Sequence, residues 1–300
     1  MFLTIFCPKD HGHIYLKCII ILYLNNMKVS VCIAIKNCSN FIKDSLSSIL
    51  NQNFKEDWEV ILGDDCSNDN TIDIALETLK YIGGKVPVRL YSSDKNVGCG
   101  LRRNSLINVS YGDYIALADG DDLYPLDRIR EQYSIASSDS GIFAISGSCN
   151  IIDEFGNYIS SIKKENMTDN EIFHYLSKTY ENPICDPCSF FEKNTFIQMG
   201  GYSCLDQNKL IPDLDLWMRF FEFSKYGIIK NKTILVFKNT WVDYRKNPNG
   251  NTIRFSREMM RAHGLRRKIF NHRLSDEASV ECKKDFSTPG RMELIYEQGY

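Results

Sequence analysis

The sequence predicts an α/β fold in which a mostly parallel sheet, flanked by helices, leads into a mixed α+β second half. Three observations predict it. Strand and helix periodicities alternate from Met27 onward, the strands are short apolar runs suited to burial on both faces, and each polar motif follows directly on a strand. In a sheet of this kind, ligands bind beyond the carboxyl ends of the strands. With 43% hydrophobic residues in a chain of 300, there is enough apolar material for a sizeable core.

The elements follow in order. Val29 to Ile35 (VSVCIAI) is the first strand, and Phe41, Ile42, Leu46, Ile49 and Leu50 then recur at helical spacing. Trp58 to Gly63 is the second strand; Ile72, Ala75, Leu76 and Leu79 line a second helix for which Asp69 is a candidate cap. Val86 to Tyr91 forms the third strand, and a glycine-containing loop leads to a helix over Leu101 to Val109. Tyr114 to Ala118 (YIALA) is the fourth strand and runs into a cluster of carboxylates. After about residue 140 the pattern becomes a hairpin, Ile142 to Ile152 and Tyr158 to Ile162, joined by a turn at Glu154-Phe155-Gly156-Asn157. No composition break marks a linker. The expected organisation is one domain over residues 27–247, a ligand-binding half over 27–125 and a second half over 126–247, with a basic helical tail over 248–300.

Residues 1–26 read as an extension ahead of the first core strand. The apolar run Ile14 to Leu24 is interrupted by Lys17 and falls short of the roughly 20 residues that span a bilayer, so a short interfacial anchor is the only membrane reading left to it. Lys plus Arg (36) nearly balances Asp plus Glu (38), which excludes the global basic field needed for sequence-independent nucleic-acid binding. Eleven scattered cysteines in a chain this long point to a reducing, cytoplasmic compartment. Cys185 and Cys188 have zinc-ligand spacing, but no second pair follows, and they read as ordinary thiols.

Two loops carry chemistry. Asp119-Gly120-Asp121-Asp122 puts three carboxylates where the fourth strand emerges, an arrangement that raises each pKa unless a cation neutralises it. Hard oxygen ligands suit Mg²⁺ or Mn²⁺, with water and substrate phosphates completing the shell; the plain reading is a polar turn before Pro125. The second strand ends in Asp64-Asp65-Cys66-Ser67-Asn68-Asp69-Asn70-Thr71, which alone reads as a capping turn. Gly98-x-Gly100-x-x-Arg103 lacks the third glycine of the dinucleotide fingerprint and follows the third strand rather than the first.

Together these segments resemble the family-2 glycosyltransferases of the GT-A fold. The match runs through Val29 to Asn37, Ser48 to Gln52, Asp64 to Thr71, Asn96-Val97-Gly98 with Arg103-Asn104, and Asp119 to Asp122. It continues through Gly200-Gly201-Tyr202, Asp213 to Arg219 and Tyr244-Arg245, in order, over residues 28–247. The resemblance implies an inverting transfer of a sugar from a nucleotide-diphosphate donor, commonly a UDP-sugar, to a saccharide or lipid-linked saccharide in bacterial surface-polysaccharide assembly. It implies that Asp65 contacts the base, that Arg103 faces the diphosphate or base, and that Asp119 and Asp121 hold ribose and metal with Asp122 close by. Asp213 is implied as the general base, with Asp215 as the alternative, and Tyr244 and Arg245 would close over the phosphates. Ala34 and Lys36 line the nucleotide pocket where the family often has Pro or Thr and Tyr, and Pro212 replaces the usual Glu, so both neighbourhoods depart from the commonest form. Trp217 reads as helix packing. A nucleotide-sugar-binding protein without transfer activity is the rival, and the retention of Asp119, Asp121, Asp122 and Asp213 argues against it.

The segment Ile253 to Arg273 carries seven basic residues, including Arg254, Arg257, Arg261, Arg266, Arg267, Lys268 and Arg273. It reads either as a solvated helix packed by one stripe or as a peripheral contact with the inner face of a membrane.

Overall fold

The computed structural model describes residues 3–6, 27–82, 84, 86–179, 181–203, 211–247 and 256–275. The strands are β1 (Leu3–Phe6), β2 (Val29–Ile35), β3 (Trp58–Asp64), β4 (Val88–Tyr91), β5 (Tyr114–Asp119), β6 (Ile142–Ile152), β7 (Tyr158–Ile162), β8 (Phe190–Glu192) and β9 (Thr233–Arg245). The helices are α1 (Ile42–Leu50), α2 (Thr71–Ile82), α3 (Cys99–Val109), α4 (Arg128–Ala136), α5 (Asp169–Lys178), α6 (Lys193–Gln198), α7 (Pro212–Lys225) and α8 (Ser256–Arg273). A 3₁₀ turn, Asp186–Cys188, precedes β8.

One sheet runs through both halves in the order β1-β4-β3-β2-β5-β8-β6-β7, with β9 also on β6. β1, β4, β3, β2 and β5 are parallel; β8 is antiparallel to both β5 and β6. The winding reverses between β2 and β5, where Ala34 lies opposite Asp119. Open α/β sheets bind ligands at such a switch point.

Alternation along each central strand feeds two cores. Val31 and Ile33 of β2 and Ala116 and Ala118 of β5 face the side covered by α1, α2 and α4, while Cys32, Ile115 and Leu117 face the aromatic core under α3 and α7. Burial on both faces is what makes these strands continuous apolar runs.

Boundaries shift where backbone chemistry demands it. β4 begins at Val88 rather than Val86, because Pro87 has no N–H to donate and serves only as an acceptor for Val60. α3 starts at Cys99, ahead of Leu101. Leu3–Phe6, inside the extension, forms an edge strand beside β4 that no sequence signal announced. The apolar run Ile14 to Leu24 lies outside the described residues, and so does Arg254. Among the described residues no helix is long and apolar enough to cross a membrane.

Candidate active site

At the switch point the β2 and β3 loops are laced together. Asn37, in the left-handed region at φ 49°, donates its backbone N–H to Ser67 Oγ (2.9 Å), and its side-chain oxygen accepts from the Asn68 N–H (2.9 Å). Asp69 accepts from the backbone N–H of Thr71 at the start of α2, as its capping role predicts. Asp65 is buried, and its two oxygens accept from the backbone N–H groups of Val97 and Gly98 (2.9 and 2.8 Å), with Arg102 at 3.3 Å. It therefore fixes the Asn96–Gly98 loop from within. Ala34 is half-buried at the end of β2, and Lys36, just beyond the strand, is exposed.

The loop after β5 is held tightly. A side chain at Gly120 would meet Ile35 at 2.8 Å and Cys38 at 2.9 Å, so only glycine lets the loop sit this close to β2. Asp122 is almost fully buried: Oδ1 accepts from the backbone N–H of Arg245 (2.8 Å), and Oδ2 has no partner among the described residues. Asp121 accepts from the Asn247 amide (3.1 Å). Burial first, then the neighbouring carboxylates, push both Asp121 and Asp122 above the usual carboxylate range.

The described residues contain no set of three His, Cys, Asp or Glu side chains already arranged around a metal. Two carboxylates with one orphaned, buried oxygen fit a hard cation that takes most of its shell from phosphates and water. Arg245 is turned inward: its guanidinium donates to the carbonyls of Asp121 (2.7 Å), Asp153 (3.2 Å) and Glu154 (2.9 Å) and lies over the Phe41 ring. It braces the Asp121-Asp122 loop from behind, where the sequence had put it against the phosphates. Tyr244 is half-buried against the core beside it.

Arg103, on α3, sits between two carboxylates. Nη2 pairs with Asp119 at 2.6 Å, Nη1 pairs with Asp186, and the buried Nε has no partner among the described residues. Asp186 had drawn no attention in the sequence, although it lies inside the Cys185–Cys188 spacing; both cysteines are free thiols. Burial, the largest cause, lifts the Asp186 carboxyl to about 7, with Asp213 and Asp119 adding to the rise and Arg103 opposing it. The same groups converge on Cys99: burial, and then Asp119, Asp186 and Asp213, push its thiol up to about 12 against the pull of Arg103.

Asp213 does not cap its helix. The N-cap is Ile211 with Pro212 opening α7, and Asp213 stands in the first turn, half-buried, accepting from the Asn182 amide at 2.9 Å. Asp215, the alternative base, is fully buried and paired with Arg219 (2.8 Å) and Arg266 (2.7 Å), so no acceptor can reach it. Arg219 also donates to the carbonyls of Met199 and Gly201, and Trp217 packs in the core against Phe143 and Phe191. Both are structural.

The family described as "Glycosyl transferase family 2" matches residues 30–198. The chain is 29% identical over 207 residues to a provisionally named glycosyltransferase, EpsE of Bacillus subtilis (67% of this chain, 70% of that one). It is 33% identical over 242 residues to a provisionally named teichuronic acid biosynthesis glycosyltransferase, TuaG of the same organism (73% of this chain, 87% of that one). The crystal structure of S. aureus TarS 1–349 in complex with UDP-GlcNAc superposes with a TM-score of 0.60 at 18% identity, covering 89% of this chain and 78% of that one. The chain belongs to glycosyl transferase family 2 and is a glycosyltransferase of the GT-A fold.

Proposed function

We propose that the chain moves a sugar from a UDP-sugar to a hydroxyl of a saccharide or lipid-linked saccharide by a single inverting displacement. The observation that carries this reading is the pairing of Arg103 with Asp119 where the sheet reverses its winding, with the helix start that bears Asp213 packed on α3, where a side chain at Gly100 would lie 3.1 Å from Pro212. The binding of UDP-GlcNAc by TarS, which shares the fold, supports the donor class, and the naming of TuaG for teichuronic acid biosynthesis supports a role in surface-polysaccharide assembly.

In this reading Asp213, half-buried and held by Asn182, takes the proton from the attacking hydroxyl. Arg103, whose Nε has no partner among the described residues, meets the negative charge that grows on the departing diphosphate. Asp121 and Asp122 would hold Mg²⁺ or Mn²⁺, which supplies the remaining neutralisation of that charge. Ala34 and Lys36 shape the mouth of the nucleotide pocket. The basic helix α8 offers a peripheral membrane contact only through its exposed face, Arg257, Met260, Arg261, Leu265 and Lys268, because Arg266 and Arg273 are buried in ion pairs.

UDP release from a panel of UDP-sugars in Mn²⁺ tests the reading. Asp213→Asn is expected to bind donor normally, melt near the wild-type temperature and lose roughly 10²- to 10⁴-fold in turnover. Asp121→Ala is expected to abolish metal-dependent donor binding. A wild type that binds UDP-sugars but releases UDP from none of them would make the chain a binding protein instead. Full affinity for UDP in excess chelator would refute the metal assignment.

A further inference from the structure

The site contains a carboxylate for which the transfer chemistry has no task. Asp186 is buried on a 3₁₀ turn far along the chain from Arg103, yet it holds one end of that guanidinium while Asp119 holds the other. The Tyr202 hydroxyl reaches both Asp186 oxygens at 3.4 Å, and the Tyr202 ring lies 5.9 Å from the guanidinium.

Each partner is itself fixed. The turn is tied by the Ser189 N–H donating to the Asp186 carbonyl (2.8 Å), by the Ser189 hydroxyl to the Cys185 carbonyl (3.0 Å), and by the Gln132 amide to the Cys188 carbonyl (2.6 Å). Tyr202 is pinned through Asn104, which accepts from its backbone N–H and donates to its carbonyl, both at 2.8 Å. Gly201, at φ 69°, lets this happen: a side chain there would lie 2.5 Å from the Asn104 oxygen. Three separate segments thus spend their polar groups on one arginine.

We propose that Asp186 is a positioning residue for Arg103: by fixing Nη1 opposite Asp119, it aims the guanidinium at the leaving diphosphate in a single orientation. The inference rests on the reading of Arg103 as the diphosphate-facing group. An arginine held at one end only can rotate about its long stem, and misplacement of a transition-state contact by about 1 Å is worth on the order of 10² in rate. Ground-state donor affinity depends far less on that aim, so kcat falls and KM does not.

The test is a double-mutant cycle on kcat, with the UDP-sugar that wild type turns over fastest. Asp186→Asn is isosteric; it removes the charge and turns one acceptor oxygen into a donor. It is expected to lower kcat by about 10- to 100-fold with little change in donor KM and a melting temperature no lower than wild type. In an Arg103→Gln background the same substitution should change kcat by no more than about twofold, because its effect runs through the missing guanidinium. Tyr202→Phe should show a smaller loss with the same coupling, and it carries the test if Asp186→Asn does not fold. Wild-type turnover in Asp186→Asn, or losses that multiply with those of Arg103→Gln, would overturn the proposal. Wild-type enzyme that releases no UDP from any donor would instead bring down the functional reading beneath it.

Discussion

Asp186 also leaves a signature in stability. Its carboxyl ionises near 7 in the folded chain, against an ordinary value of 3.8, so the folded state favours the protonated form. Stability from this group is fully present below pH 3.8 and is lost as pH rises through 7. A shift of about three pH units corresponds to about 4 kcal/mol at most. The melting temperature of Asp186→Asn, minus that of wild type, is therefore expected to grow between pH 4 and pH 8; a flat difference would show that Asp186 ionises normally. Asp121 and Asp122 shift in the same direction for the same cause, so Mn²⁺ with UDP should stabilise more at pH 8 than at pH 5. The β5 loop carboxylates were legible in the sequence because they are adjacent and follow a strand. Asp186 was not, and Tyr202 stood in the Gly200-Gly201-Tyr202 match without a role, since tertiary packing alone brings both to Arg103.

At the scale of the element, α7 shows how periodicity misleads. Asp215, Arg219 and Glu222 recur at helical spacing, a charged stripe of the kind that ordinarily faces solvent. α8 covers it instead: Arg266 pairs with Asp215 (2.7 Å) and Glu222 (2.8 Å), and Arg273 pairs with Glu222 (3.2 Å). Without Arg266, Asp215 keeps Arg219 alone and Glu222 keeps Arg273 alone, so Arg266→Ala loses two buried charge-assisted bonds and is expected to cost about 3 kcal/mol in urea unfolding. The exposed face of α8 should behave in the opposite way. Arg261→Glu with Lys268→Glu is expected to leave stability within about 0.5 kcal/mol and to reduce sedimentation with anionic vesicles. Equal sedimentation of this variant and wild type would remove the membrane contact. Charge pattern alone could not divide these arginines into buried and exposed sets, because the division depends on which face meets α7.

At the scale of the whole molecule, the succession of strands and helices along the chain was legible where alternation was regular, from β2 to β5, and lost where short strands insert out of sequence order. β8 has three residues and slots between β5 and β6, a placement fixed only by pairing partners distant in sequence. The same long-range logic predicts that the two ends of the chain respond differently to trimming. β1 is a four-residue strand at the sheet edge that, among the described residues, pairs with β4 alone and not with β2 or β5, which position the site. A chain begun at Met27 should therefore keep its turnover and lose only a few degrees of melting temperature, although the bared β4 edge makes it more prone to associate. A chain ended before Ser256 loses α8 and leaves Asp215 with Arg219 alone and Glu222 with neither Arg266 nor Arg273, on the same helix that carries Asp213. Breaking a buried pair costs about 3–5 kcal/mol against a whole-domain stability of about 5–15 kcal/mol, so the shortened chain is expected to melt well below the full chain and to release little UDP. Thermal melts of the two trimmed chains decide the matter: an active, folded chain without α8 would show that the ion-pair layer is a surface addition, and an inactive chain begun at Met27 would show that the edge strand supports the site.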